Sequence, residues 1–201
     1  MTLLPLFPLD VVLFPGTDLE LHIFEPRYKE MMAECLTNRS EFGVIRALER
    51  GIAEIGCTAE IAKVTKEYSD GRMDLIARGR QRFEVLQVDR ERSFLRAEIL
   101  VVPDDPADAA RPERERAVQA HKEILSLAGA TFDASSAERG TLSFQLAASL
   151  PLELDFKQKL LSMPSERERI HELAAYLEGI LPGLRRAARA REKAGGNGHA
   201  R

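Results

Sequence analysis

The placement of proline constrains this chain more than any other feature. Pro5, Pro8, Pro15 and Pro26 crowd its start, residues 27–102 contain none, and six more lie from Pro103 to Pro182. Proline has a fixed φ and no amide N–H, so hydrogen-bonded ladders belong to the proline-free window and its flank. Asp18 to Ile23 alternates, with Leu19, Leu21 and Ile23 on one face and Glu20 and His22 on the other. Phe42–Ala47, Ile55–Tyr68, Arg72–Arg78, Arg82–Val88 and Phe94–Val102 are further runs rich in Val, Ile, Leu and Phe, and are expected to be strands. Asp70-Gly71 between two of them predicts a two-residue hairpin turn. One helix interrupts the series: Pro26 suits a first helical position, and Arg27–Leu36 supplies helix formers.

Beyond Val102 the texture changes. Pro103-Asp104-Asp105-Pro106 marks a linker. Pro112 opens a helix to about Ala128, with Gly129 as its stop. Ser135 with Glu138 forms a capping-box pattern for a helix reaching Leu150, a short helix runs to Ser162, and Ser165 with Glu168 caps a last one. Ile170, Leu173, Ala174, Leu177 and Leu181 fall on a single stripe of that last helix. These features divide the chain into a β-rich part with one inserted helix at 1–104, a helical bundle at 105–183, and a basic, frayed or disordered tail at 184–201. Gly79 predicts a bend or bulge between two strands, and the prolines of the first fifteen residues predict irregular edge segments.

Composition narrows function by exclusion. Forty-four per cent hydrophobic and 30% charged residues describe an ordinary globular chain, and the longest aliphatic run, Ile99–Val102, is far short of a membrane span. The start has no secretion signal, and two cysteines, Cys35 and Cys57, do not make a disulfide framework, so a cytoplasmic location is expected. A chain of 201 residues is expected to be too short for an ATPase module plus a catalytic domain. Gly51 to Thr58 has the GxxxxG frame of a phosphate loop, but Cys57 stands where the lysine must be. His171-Glu172 begins an HExxH pattern that Ala175 ends, leaving too few zinc ligands. Both cysteines lie in apolar settings and are read as packing residues. No catalytic residue, metal site or cofactor is expected.

Leu4-Pro-Leu-Phe-Pro-Leu-Asp-Val-Val-Leu-Phe-Pro-Gly16, followed by Leu21-His-Ile-Phe-Glu-Pro-Arg-Tyr28, carries a stronger signal. It resembles the opening of the substrate-binding (N-terminal) domain of Lon proteases. Three later segments match in order: Ile55-Gly-Cys-Thr-Ala-Glu-Ile61, Asp74 to Phe83, and the helical stretch Leu146–Leu161 with Phe156-Lys-Gln-Lys-Leu-Leu. The resemblance covers residues 3 to 181. It implies an α+β fold: a six-stranded PUA-like pseudo-barrel followed by a C-terminal α-helical bundle. It implies, further, a non-catalytic module that binds unfolded or extended polypeptide segments, or a protease or chaperone partner, without the family's ATPase and protease domains.

Two groups of residues stand out as candidates. Phe24, Glu25, Arg27 and Tyr28 form either a charge-assisted corner anchoring the first helix or the border of a partner groove. Arg78, Arg80 and Arg82 alternate, so on a regular strand they share one face, either solvated or contacting acidic peptide or RNA. The alternative function is a nucleic-acid contact through the tail: residues 185–201 hold Arg185, Arg186, Arg189, Arg191, Lys193 and Arg201 against Glu192, a balance of +5 within a net charge of -3. Polypeptide capture by strand addition at an open barrel edge or in an apolar groove is the preferred reading.

Overall fold

The computed structural model describes residues 3–105, 108–130 and 142–196. They divide into two compact units, residues 1–104 with 150–164, and residues 105–149 with 165–201.

The first unit is built on strands β1 (Leu4–Leu9), β2 (Asp18–Ile23), β3 (Phe42–Leu48), β4 (Gly51–Ile52), β5 (Ile55–Glu67), β6 (Met73–Asp89) and β7 (Arg96–Val101), with helix α1 (Pro26–Asn38) between β2 and β3. The strand order β1-β7-β6-β5-β3 closes on itself, because β1 also pairs with β3 in parallel. β2 lies off this ring against β6, and β4 is a two-residue flap on β3. The implied pseudo-barrel is present, five strands closed into the ring and a sixth, β2, paired to β6, but its membership differs from the sequence expectation. Arg72–Arg78 and Arg82–Val88 belong to a single long strand, β6. Pro5 and Pro8, assigned to an irregular edge, lie within β1, where Leu6 keeps its N–H and donates it to the Leu95 carbonyl at 2.8 Å.

Gly79 explains why β6 is continuous yet kinked. Its N–H donates to the Thr17 carbonyl and its own carbonyl accepts from Gly16 N–H, both at 2.9 Å, and a Cβ there would sit 2.2 Å from the Phe14 oxygen. Opposite it the β5–β6 register slips, with Cys57 pairing Arg82 but Ala59 pairing Gly79. The hairpin at the far end of β6 is a three-residue loop rather than a two-residue one. Only Gly71 has positive φ, and Tyr68 and Arg72 close the loop.

Two apolar clusters fill this unit. Phe7, Ile23, Tyr28, Met31, Met32, Phe42, Leu75 and Phe94 pack α1 onto the sheet, and Leu6, Ile45, Phe83 and Ala97 form the other cluster. Helix α1 ends at Arg39, which adopts a left-handed conformation and returns its N–H to Cys35. The short helix α4 (Leu154–Ser162), grouped with the bundle in the sequence reading, packs on β5: Gln158 donates to the Ile55 carbonyl at 2.9 Å and Arg46 reaches Asp155 at 2.6 Å. Local helix signals cannot say which core a helix joins, and here those two polar contacts select the barrel.

The second unit contains α2 (Arg111–Ala128), α3 (Leu142–Ala148) and α5 (Glu166–Gly196). Gly129 caps α2 at φ 71°, and the Ser165 hydroxyl accepts from Glu168 N–H. The Ser135–Glu138 box lies outside the described residues. Ile170, Leu173, Ala174 and Leu177 are buried as the stripe predicts. Arg116 binds Glu178 and Arg185 binds Glu123, so α2 and α5 run parallel and in step. α5 does not fray at residue 184 but continues to Gly196, in keeping with the high helix propensity of its Ala and Arg residues and with the Arg185–Glu123 pair. At the start of α3 the buried Glu166 carboxylate accepts from Ser143 N–H and hydroxyl and is neutralised by Arg169, whose guanidinium also lies 4.3 Å from the Phe144 ring centroid.

Candidate functional site

β6 carries β2 on one side and the distal half of β5 on the other, so residues of these strands form cross-strand rows. Their outward side chains are Asp18–Arg78–Glu60, then Glu20–Ile76–Lys63, then His22–Asp74–Lys66. In the first row Arg78 holds Asp18 with two hydrogen bonds, at 2.7 and 3.0 Å, and this contact holds the Asp18 carboxyl below its usual range. In the third row His22 Nδ1 lies 2.5 Å from Asp74 Oδ1, and the Tyr68 hydroxyl donates to Asp74 Oδ2 at 2.9 Å. Those two contacts hold the Asp74 carboxyl below the ordinary aspartate value. The Tyr68 ring is approached by Lys66 and Arg72, with 4.5 and 4.8 Å to its centroid. Lys29 of α1 ties down the hairpin by donating to the Asp70 carbonyl.

Between the rows lies an open hollow of about 570 Å³, lined by Glu20, His22, Thr65, Asp74 and Ile76 among others. Phe24, 58% exposed, stacks on His22 of that lining with ring centroids 5.8 Å apart. A large exposed aromatic beside polar groups that are already paired is the composition of a contact surface. A second exposed apolar pair, Leu86 and Leu100, lies farther along the barrel on β6 and β7.

The four residues of the candidate corner divide. Glu25 precedes α1, Arg27 Nε donates to its carboxylate at 2.9 Å, and the Arg27 guanidinium lies over the Tyr28 ring. Tyr28 is buried, 4.3 Å from the Phe7 ring centroid, and burial raises its hydroxyl pKa. Phe24 faces solvent, as does Arg27, while Glu25 is half-buried. The three arginines divide too, because the bulge at residues 79–82 breaks the alternation of β6. Arg78 and Arg80 stay outside, Arg80 lying 3.7 Å from Glu60, whereas Arg82 turns inward and is 2% exposed. The expected shared basic face is therefore absent.

Among the described residues, no group of three His, Cys, Asp or Glu is placed to hold a metal. Cys35 and Cys57 are both buried, and burial pushes the Cys57 thiol up to about 12, far from a reactive thiolate. Gly51 and Gly56 belong to strands, not to a phosphate loop. His171 is exposed and faces Glu113 at 3.3 Å. No described helix is long and apolar enough to cross a membrane. The His22–Asp74–Tyr68 cluster itself was not legible as a unit: alternation placed His22 on the polar face, but its partner is 52 residues away in the chain.

A family model for the ATP-dependent protease La (LON) substrate-binding domain matches residues 3–179. A Lon protease of Flavobacterium johnsoniae is 27% identical over 200 residues, covering 90% of this chain and 24% of that protein. One of Parabacteroides distasonis is 28% identical over 130 residues, 60% of this chain and 16% of its own length. The chain thus spans about a quarter or less of these curated relatives. Among solved structures, a Lon N-terminal domain protein from Xanthomonas campestris superposes with a TM-score of 0.71 at 29% identity, covering 88% of this chain and 99% of that one. The N-terminal domain of a Mycobacterium avium complex Lon protease shares the fold, with a TM-score of 0.63 at 17% identity over 88% of this chain and 98% of that one.

Proposed function

The chain belongs to the Lon substrate-binding domain family, and from that premise we propose that it is a polypeptide-binding module whose partners are unfolded or extended protein segments. The family match extends over the substrate-binding domain, residues 3–179. The observation that carries the reading is the exposed Phe24 at the end of β2, above side chains that are already paired to each other. An aromatic left in water next to a firmly built sheet face gains apolar contact when a chain lies across it.

Titration of the full chain against reduced, alkylated lysozyme, which stays unfolded, tests this by fluorescence anisotropy. Binding tighter than ~100 μM, equivalent to about 5.5 kcal/mol, is expected. Absence of binding at that level overturns the reading. A labelled single-stranded RNA in the same assay distinguishes the nucleic-acid alternative, which would bind at low salt and weaken steeply as salt rises.

A further inference from the structure

β2 lies off the closed ring and has a neighbour on one side only among the described residues. The ring strands β1, β3, β5, β6 and β7 each have neighbours on both sides over part of their length, whereas β2 pairs with β6 alone among the described residues. β5 beyond Ala59 also pairs with β6 alone, but that stretch carries Lys63 and Lys66 and two register shifts. In an antiparallel ladder about half of a strand's N–H and C=O groups point away from its partner, so β2 presents a row of unmatched backbone groups. Edge strands are ordinarily blunted by proline, lysine or a bulge. β2 has no proline or lysine, and its six pairs to β6, from Asp18–Arg78 to Ile23–Met73, run without a register shift.

The side chains of this edge are also half-finished. Leu19 and Leu21 point to the same core as Ile23, yet Ile23 is 1% exposed while the two leucines are only partly buried. A strand laid outside β2 would cover them. On the outer face Asp18 is taken by Arg78 and His22 by Asp74, but Glu20 has no ion-pair partner among the described residues. It is the carboxylate left over in a row whose centre is Ile76.

We propose that the free edge of β2 accepts an extended polypeptide strand that places a basic residue opposite Glu20 and apolar residues, on its other face, over Leu19 and Leu21. Backbone pairing supplies sequence-tolerant affinity, and the alternation of side chains supplies preference. The inference rests on the polypeptide-binding reading and adds to it a position and a pattern: apolar and basic residues in alternation.

The test uses the full chain and a labelled, end-blocked hexapeptide of alternating Val and Lys. The wild type is expected to bind it and to protect amide N–H groups of residues 18–23 from hydrogen exchange. The same peptide N-methylated at every residue, with its side chains intact, is expected not to bind. Glu20→Lys, on an exposed site, should weaken binding about fivefold, the scale of a reversed cross-strand charge pair, and Glu20→Gln should weaken it less. Equal binding of the N-methylated peptide, or an unchanged affinity in Glu20→Lys, overturns the inference. If reduced, alkylated lysozyme binds and the hexapeptide does not, the edge assignment fails while the polypeptide-binding reading stands; if neither binds, that reading fails as well. A chain that sediments as a dimer which the hexapeptide dissociates would make a second copy the occupant and likewise overturn the proposal.

Discussion

Arg82 and Asp104 are paired at 2.6 Å, and the arginine is almost wholly buried while the aspartate is 38% exposed. The same guanidinium donates to the carbonyls of Leu161 and Met163 at 3.1 and 2.8 Å and of Pro103 at 3.2 Å. One planar, permanently charged fork thus serves four acceptors on two chain segments, the one that leaves β7 and the one that leaves α4.

Removing that fork withdraws the guanidinium donors from the buried Leu161 carbonyl and from the carbonyls of Met163 and Pro103, and a lysine cannot span them. Arg82→Ala is expected to destabilise the protein by about 3 kcal/mol, and Arg82→Lys by nearly as much. Asp104→Asn should cost far less, because Asp104 reaches water and the carbonyl acceptors remain satisfied. Urea denaturation of the three variants measures this, and equal losses for Arg82→Ala and Asp104→Asn would refute the division of roles.

Gly79 is the second place where β6 tolerates no change. A Cβ added there meets the Phe14 carbonyl oxygen at 2.2 Å and the Phe14 carbonyl carbon at 2.9 Å, and backbone gives way less easily than a side-chain tip. Gly79→Ala should therefore destabilise by about 2 to 3 kcal/mol or more. Gly129→Ala, with nothing within 4 Å of its Cβ, should cost about 1 kcal/mol through its positive φ alone. Chemical denaturation of the pair compares close approach with conformational cost.

These two residues show what the amino-acid order discloses and what it withholds. Element types followed from local chemistry: Pro26 opening α1, Gly129 closing α2 and Ser165 capping α5 are all found where their side chains or backbones require. Gly79 was legible as an irregularity, but the Phe14 carbonyl that demands it is 65 residues away, so continuity of β6 was not. For the same reason Arg78, Arg80 and Arg82 suggested one basic face. A one-residue shift in pairing, invisible to period counting, sends Arg82 into the interior. The β2 edge was foreseen only as a general possibility, since which strand remains unpaired depends on the parallel β1–β3 closure.

Phe24 and Tyr28 were grouped by sequence, yet their surroundings predict opposite behaviour. Tyr28→Ala removes a buried ring packed against Phe7 and should cost about 3 kcal/mol. Phe24→Ala removes a solvent-facing ring and should change stability by less than about 0.5 kcal/mol. If Phe24 borders the polypeptide surface, its alanine variant should bind reduced, alkylated lysozyme about tenfold more weakly, the loss of a contributing interface residue just below a hot spot. Thermal melts and binding titrations on the same preparations separate the two effects, and an unaltered affinity would remove Phe24 from the binding surface.

His121 is a buried titratable group of the helical unit and is expected to contribute to its acid response. Its Nε2 lies 2.7 Å from the Ser149 hydroxyl, which donates to the Leu146 carbonyl and so accepts from the imidazole N–H. Burial pushes the imidazole below its ordinary value of 6.5, because the charged form loses its hydration. A histidine whose folded pKa is depressed binds protons more readily once unfolded. Its contribution to stability is therefore complete above the unfolded pKa, declines as pH falls below about 6.5, and is lost once pH passes the lower folded value. The wild type should thus lose stability between pH 7 and 5, whereas His121→Gln, neutral throughout, should show a shallower decline over the same window. Urea titrations at half-unit pH intervals, followed by helical circular dichroism, measure the difference. Parallel pH profiles for the two proteins would mean that the buried imidazole does not contribute to the acid response.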